Sequence, residues 1–463
     1  MYDSEDRSIR LALGGDILLT RRLKVYHEAA FLRLRGVLNE ADACFANFES
    51  VAHRYEKAVA GVSRGSFMIT EPGLLDDLVW FGVDMVSCAN NHALDFGEDG
   101  VLASIRHLDR AGIVHAGSGR NLREAQSPAC LDTPAGRVAL VAAAASWQDW
   151  HRAEEQRPDM LGKPGVSSLR FDRVYEVDRA SLDALRAVGH RIGVDRRRER
   201  DAKWFYSPEE LGVDDGESYS FLGQTFRVAD AFAVHTTAKA GDLSDILRQV
   251  REARRQADWV IVSLHFHEFG GSSLLTADSQ VDLDEPAEFV TEFARAAINA
   301  GGDVFVGHGP HRLLGAEVFQ GKPIFYSLGN LVMESDTTRF VPAHAYERFG
   351  LDASATPADF YDRRSRNETQ AHPTLPDYWE SIVPVCVFRE GDLIEVELHP
   401  IDLGFGRPRS QRGRPVLADA DLGATIVDRF ERLSNFGVSG WVDRTANGFR
   451  LRWGPDHTEA EGV

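Results

Sequence analysis

Residues 303–332 read DVFVGHGPHRLLGAEVFQGKPIFYSLGNLV, and the fold turns on how this stretch is read. The apolar run Val304-Phe305-Val306 predicts a buried strand. It ends in a glycine, and His308 and His311 follow, three residues apart. Two short apolar segments split by Gln320-Gly321-Lys322-Pro323 predict a hairpin. Tyr326-Ser327-Leu328-Gly329-Asn330 closes the stretch. An open α/β sheet builds its crevice from side chains just past the ends of buried strands. Taken alone, the two histidines are better read as incidental loop residues. Other strands that end in the same way change that reading.

Those strands lie upstream. An apolar strand over 9–14 runs into Gly15-Asp16, a second over 43–46 into Asn47-Phe48-Glu49, and a third over 84–89 into Asn90-Asn91-His92-Ala93-Leu94-Asp95. A strand over 258–264 is followed by His265-Phe266-His267-Glu268. Between them, helical spacing of apolar residues predicts helices over 24–40, 72–81, 98–111, 243–256 and 286–300. Pro72 suits the first turn of its helix, and Gly112 suits a C-terminal cap. Strands alternating with helices define an α/β chain with helices on both sheet faces.

The rhythm breaks over 146–224. This charged insertion holds DRRRERD at 195–201 and one predicted helix over 178–188. Its arginines suit a solvated face better than a grip on an anionic substrate. The core is therefore expected over 1–145 and 225–335. A C-terminal extension over 336–463 is expected to pack on it, with a lid-like loop at 352–376, a hairpin over 383–399, a helix over 417–436 and a frayed last dozen residues.

Composition narrows the partners. In 463 residues there are 52 Lys and Arg against 71 Asp and Glu, a formal charge of −19. A general nucleic-acid binder needs a basic face, so none is expected. The longest apolar run, 138–145, is too short to span a bilayer, and the acidic opening MYDSEDRSIRLALGGD lacks the apolar core of a secretion signal. A cytoplasmic protein without membrane contact is the expectation. Cys44, Cys88, Cys130 and Cys386 are scattered in apolar contexts without a CxxC pair, as free thiols would be.

Strands of a parallel sheet end on one edge, so Asp16, Asn47, Glu49, Asn91, His92, His265, His267, His308 and His311 can converge on one crevice. Carboxylate, amide and imidazole donors suit Mn²⁺, Fe²⁺ or Zn²⁺. Each residue also has an ordinary role open to it, such as a turn cap for Asp16 or Asn47, a solvated carboxylate for Glu49, or a hydrogen-bonded histidine for His265 or His267. The conjunction is what favours a site.

The ordered set Gly15-Asp16, Ala46-Asn47-Phe48-Glu49, ANNHALDFG at 89–97, His265, GHGPH at 307–311 and YSLGN at 326–330 resembles the CapA-like family of poly-γ-glutamate capsule biosynthesis proteins. That family looks like a branch of the calcineurin-like metallophosphoesterases. The resemblance implies a four-layer αββα sandwich with two mixed sheets. It implies metal-site positions at Asp16, Glu49, Asn91, His265, His308 and His311, and a general acid at His92, oriented by Asp95. Glu49, His265 and Glu268 join the candidate catalytic groups, and Asn47, His267 and Asn330 the candidate substrate contacts. Several positions depart from the metallophosphoesterase pattern. The histidine usually found two residues after Asp16 is Leu18, a bridging aspartate is replaced by Asn47-x-Glu49, the GHxH motif becomes GHGPH, and Phe266-His267-Glu268 follows His265. One ion, two, or none is compatible with what remains.

Three functions follow from these residues. The first is a metal-dependent hydrolase or transferase acting on an amide or phosphoester of a glutamyl-containing or other anionic substrate, small or peptide-like. The second is a metal-free acid–base lyase or dehydratase of a biosynthetic pathway. The third is a non-catalytic partner of a biosynthetic assembly.

Overall fold

The computed structural model describes residues 8–55, 57–61, 66–270, 284–436, 440–445 and 448–453. The chain divides into two compact units. One comprises the residues up to 168, 244–267 and those from 294 on, and the other 169–243 and 268–293.

The larger unit is built on two mixed sheets. In the ten-stranded sheet, Ser8–Leu18 lies beside Ala43–Phe48, then Met85–Ser87 and Val114–Ala116, all parallel. On its other edge Ser8–Leu18 meets two partners in turn. Ser8 to Ala12 pair antiparallel with Glu380–Arg389, and Asp16 to Leu18 pair parallel with Asn330–Met333. The sheet continues through Asp392–Asp402 to the hairpin of Gly440–Thr445 and Gly448–Trp453. The second sheet runs in the order Leu313–Phe319, Lys322–Leu328, Val304–His308, Trp259–His265, Gly136–Ala144 and Ala129–Thr133. Its four inner strands are parallel and its edges are closed by antiparallel hairpins. The α/β sandwich of mixed sheets expected from the sequence is the one found.

Strand alternation sets the layers. Leu11, Leu13 and Phe45 of the larger sheet join Leu140, Ala142, Val304, Val306 and Phe325 of the second in one buried cluster. Ala12, Cys44, Ala46 and Val86 point the other way. They meet Phe31, Leu34 and Leu38 of helix Ala29–Glu40 and Leu75, Leu78 and Phe81 of helix Leu75–Phe81. Cys44, Cys88 and Cys386 are buried, and all four cysteines are free thiols.

The smaller unit carries its own four-stranded sheet, in the order Ser218–Phe221, Gln224–Val228, Phe171–Val177 and Ala233–Ala238. Helices Arg179–Ile192 and Val194–Asp201 belong to it, and Val177, Leu182 and Tyr219 form its core.

Several expected elements differ. The helix expected from residue 24 starts at Ala29, because the Asp77 carboxylate takes the Leu23 and Lys24 amides at 2.7 and 3.1 Å and holds that segment out of the helix. Residues 146–224 hold more than one helix. DRRRERD is itself helical within Val194–Asp201, a helix with no buried residue and hence no apolar period to read. The stretch expected as a loop at 352–376 contains helix Pro357–Arg364, opened by a capping box between Thr356 and Asp359 and anchored by buried Phe360 and Tyr361. The C-terminal helix ends at Leu433, and two strands follow it. Of the last dozen residues, those from 454 on lie outside the described set.

Candidate functional site

The strand carrying Asp16 does not stop at Gly14. It continues to Leu18 through a bulge, with register shifts on both sides of Asp16. A bulge re-aims one side chain without ending the strand. Gly15 makes it possible, since a Cβ there would stand 1.9 Å from the Gly329 carbonyl oxygen. The Asp16 amide donates to that same oxygen at 3.0 Å.

Asp16 is wholly buried and fully engaged. Oδ1 accepts from Asn47 Nδ2 at 2.7 Å, Oδ2 accepts from the Gly309 amide at 3.1 Å, and His311 Nδ1 lies 3.2 Å from Oδ2. Burial alone would raise its pKa. The hydrogen bond and charge of His311, with His308 and Asn47, outweigh burial and hold the carboxyl below its ordinary range.

Glu49, just past the Ala43–Phe48 strand, is the opposite case. It is wholly buried, and neither carboxylate oxygen has a hydrogen-bond partner. Three imidazoles face its Oε1, with Nε2 of His311 at 3.7 Å, of His92 at 3.8 Å and of His265 at 3.9 Å. Desolvation pushes its pKa up to about 8 against the pull of His311 and His92.

The histidines come from three segments. His265 and His308 end neighbouring parallel strands and are register partners. His308 Nε2 shares a 2.6 Å hydrogen bond with Ser263 Oγ, while His308 Nδ1 and His265 Nε2 are buried without partners. Burial keeps both imidazoles neutral, His308 with a pKa of about 4. His311 sits at φ +59, a left-handed conformation uncommon outside glycine. Asn330 fixes it there, through Oδ1 on His311 Nδ1 at 2.9 Å and Nδ2 on the His311 carbonyl at 3.1 Å. Burial lowers the His311 pKa, but Glu49 and Asp16 raise it further, to about 9. His267 lies beside this group, its ring 5.0 Å from that of His265 and 6.0 Å from that of His311, and burial takes its pKa to about 3.

His92 and Asp95 form a buried dyad in the turn after Met85–Ser87. Nδ1 lies 2.7 Å from Asp95 Oδ2, and Nε2 faces Glu49. Burial works against the imidazolium, but Asp95 outweighs it and raises the His92 pKa. Asp95 Oδ2 also accepts from the Met68 amide at 2.6 Å.

Asn47 is spent inside the protein. Its amide reaches Asp16, Asn90 Nδ2 at 3.3 Å and His265 Nδ1 at 3.3 Å, so it braces the site. Asn91 keeps a buried Oδ1 without a partner, a free amide oxygen of the kind a cation takes. Glu268 is half-buried in the smaller unit, its carbonyl accepting from the Ala287 amide. The larger unit thus brings together Asp16, Asn47, Glu49, His92, Asp95, His265, His267, His308, His311 and Asn330.

Three residues were not foreseen. Asn90 holds Asn47, the Phe48 carbonyl and the His92 amide. Ser263 steadies His308, and strand alternation put it on the same face as His265, two residues on. Gly309 aims its amide at Asp16 from φ +110, where an added Cβ would meet the Phe266 carbonyl oxygen at 2.3 Å.

The donor atoms form three overlapping groups, each within 4.8 Å: Asp16 with His265 and His308, Glu49 with His265 and His267, and Asp16 with Glu49 and His311. Asp16, Glu49 and His265 are shared between groups. Together with the orphaned Glu49 oxygens, His265 Nε2, His308 Nδ1 and Asn91 Oδ1, this donor set fits a divalent cation.

An α/β sandwich of two mixed sheets with carboxylates, amides and imidazoles at the strand ends defines the class. Residues 10–335 match the family of the bacterial capsule synthesis protein PGA_cap, and the chain belongs to that family. Two Sinorhizobium fredii proteins, y4sH and y4uA, described as uncharacterized, are each 34% identical to it over 451 residues, 94% of this chain and 92% of theirs. The PGA biosynthesis protein CapA of Bacillus subtilis is 39% identical over 178 residues, 38% of this chain and 40% of its own. A probable polyglutamine synthesis accessory protein of Mycobacterium tuberculosis is 25% identical over 245 residues, 53% of this chain and 43% of its own. No helix among the described residues is long and apolar enough to cross a membrane.

Proposed function

We propose that this chain is a metal-dependent hydrolase or transferase acting on a phosphoester or amide of an anionic small-molecule or peptide-like substrate in the synthesis of a bacterial polymer or related product. The reading is carried by Glu49, a wholly buried carboxylate without a hydrogen bond and with three imidazole nitrogens 3.7–3.9 Å from one oxygen. Those spacings are too long for hydrogen bonds. Leaving a buried carboxylate unpaired is costly, and a cation held between these groups removes the cost. Asp16, Glu49, Asn91, His265, His308 and His311 would hold one ion or two of the Mn²⁺, Fe²⁺ or Zn²⁺ type, with His267 beside them. When bound, such an ion supplies Lewis acidity toward a substrate oxygen and lowers the pKa of water.

The chain's own residues do the rest. His92 carries a proton at Nε2 for the leaving group, and Asp95 keeps Nδ1 occupied and the ring oriented. Asn47 and Asn330 are positioning residues for Asp16 and His311. Burial excludes bulk water from the carboxylates. The test is metal analysis of protein purified without chelator, followed by assay on p-nitrophenyl phosphate and γ-glutamyl-p-nitroanilide before and after EDTA. Stoichiometric metal and activity lost on chelation are expected. A metal-free preparation with activity indifferent to EDTA would refute the reading.

One observation favours a second reading. Glu49 is protonated up to about pH 8 when no cation faces it, beside an imidazolium at His311. That pair could transfer protons without a metal, as a lyase or dehydratase requires. Turnover that persists in EDTA but is lost in Glu49→Gln would select it.

A further inference from the structure

Next to the candidate centre is a second pocket, of about 70 Å³, lined among others by Tyr361, Arg364, His372, Trp379, Arg409 and Arg412. It belongs wholly to the larger unit. A single water needs about 10–15 Å³ of such space, so the pocket has room for a compact ionic head group.

Its charges do not pair evenly. Arg412, 4% exposed, is held by Asp336 and by Glu368 at 2.8 Å. Arg409 takes Asp362 at 2.8 Å and Glu368 at 3.3 Å, and its buried Nε makes no hydrogen bond but lies 3.8 Å from Asp336. The three nearby carboxylates are therefore spent on these two guanidiniums. Arg364 is left over. Its side chain has one hydrogen bond, to Ser66 Oγ at 2.5 Å, and no carboxylate within ion-pair distance among the described residues. Burial lowers its pKa, which marks the same deficit. His372, on the pocket wall, is held neutral with a pKa of about 3, by burial first and then by the charges of His311, Arg364 and Arg412. The three guanidiniums and three carboxylates balance in number but not in place, because every carboxylate sits on Arg409 or Arg412 and the Arg364 guanidinium faces the pocket without one.

It also lies one aromatic ring from the histidine cluster. His372 stacks on Tyr378 with centroids 4.7 Å apart, and the Tyr378 ring is 6.4 Å from that of His311. The Tyr378 carbonyl accepts from Asn330, which orients His311. The segment that walls the pocket is the one whose sequence reads as a lid-like loop.

We propose that this pocket anchors an anionic end group, a carboxylate or a phosphate, of the molecule acted on at the Asp16–Glu49–histidine centre, with Arg364 as its specificity-determining residue. The role at that centre rests on the function proposed above. The binding site itself does not. A guanidinium suits both anions because its fork meets either one bidentately.

The experiment is calorimetric titration of the full chain, stripped of metal with EDTA and dialysed, with inorganic phosphate and separately with glutarate. At least one probe is expected to bind, and the stronger of the two identifies the head group. Arg364→Gln is expected to weaken it at least about tenfold. Arg364→Lys, which keeps the charge and loses the fork, is expected to weaken it severalfold. Arg173→Gln, in the smaller unit, leaves it unchanged. No binding of either probe to the metal-free protein overturns the proposal, and so does wild-type affinity in Arg364→Gln. Should Arg364→Gln fail to fold, unchanged affinity in Arg364→Lys overturns it instead. Because metal is absent throughout, failure of metal binding at Glu49 leaves this result standing, and absent anion binding leaves the metal reading standing.

Discussion

At the residue scale, Glu49 and Asp16 show how one buried environment gives two carboxylates opposite characters. Asp16 accepts two hydrogen bonds and touches His311, whereas Glu49 accepts none. Burial holds Glu49 protonated up to about pH 8 in the empty protein, whereas the unfolded chain carries it as a carboxylate above about pH 4.3, so at neutral pH the group opposes folding. Metal-stripped Glu49→Gln, which has no proton to take up, is expected to melt a few degrees above metal-stripped wild type at pH 7. The same variant should lose its metal. Calorimetric melting with and without added Mn²⁺ or Zn²⁺ checks both, and a lower melting temperature in the empty variant would contradict the account. Asn47 makes a second case. As the brace for Asp16 and His265, its truncation in Asn47→Ala is expected to lower metal affinity about 10–100-fold, the usual effect of removing an outer-shell partner. Competition with a chromophoric chelator measures it.

At the element scale, the site depends on close backbone approach. Gly15→Ala would set a methyl group 1.9 Å from the Gly329 carbonyl oxygen and force apart the Ser8–Leu18 and Asn330–Met333 strands. A loss of several kcal/mol in urea unfolding is expected, at the severe end of single substitutions. Gly112→Ala is the contrast. Gly112 has a left-handed φ of +73 and meets nothing within 4 Å, so only the strain of that φ, about 1 kcal/mol, is expected. Across the same sheet, Arg10 of Ser8–Leu18 grips Glu397 of Asp392–Asp402 over the intervening strand, with contacts of 2.9 and 3.3 Å. His399, whose Nε2 is 3.6 Å away and too long for a hydrogen bond, adds its charge, and Arg10 supplies the bonds that hold the Glu397 pKa down to about 2. A carboxyl depressed on folding contributes its stability above its unfolded pKa, about 4.3. That contribution is lost as pH falls from about 4.3 to about 2. The stability difference between wild type and Glu397→Gln, followed by urea unfolding, should shrink over that window and stay flat above pH 5.

At the scale of the whole molecule, the proposed metal site would link ion binding to folding. An ion bound at 100 times its dissociation constant adds about 2.7 kcal/mol to stability. Chelation should lower the melting temperature, and readdition should restore it, in wild type but not in Glu49→Gln. Much of this architecture was legible from the chain. Apolar runs followed by Glu49, His92, His265 and His308 marked strand ends, Asp16 proved to sit at a bulge inside its strand, and the order of those motifs implied the sandwich. Elements without an apolar period were not legible, as helix Val194–Asp201 shows. Nor was the packed helix Pro357–Arg364, although its Thr356–Asp359 capping box was there to be read.

Hydrophobic period and turn chemistry are local, so the chain alone tells which residue types follow which apolar runs. What each of them does there is set by packing between distant segments. His308 and His311 are three residues apart in a stretch that alone reads as a surface loop. Pairing of Val304–His308 with Trp259–His265 puts His308 beside His265, while the left-handed turn held by Asn330 swings His311 toward Glu49. Whether a buried carboxylate finds donors or is left facing imidazoles depends on contacts between segments hundreds of residues apart. No local pattern encodes that difference, and it is what separates Asp16 from Glu49.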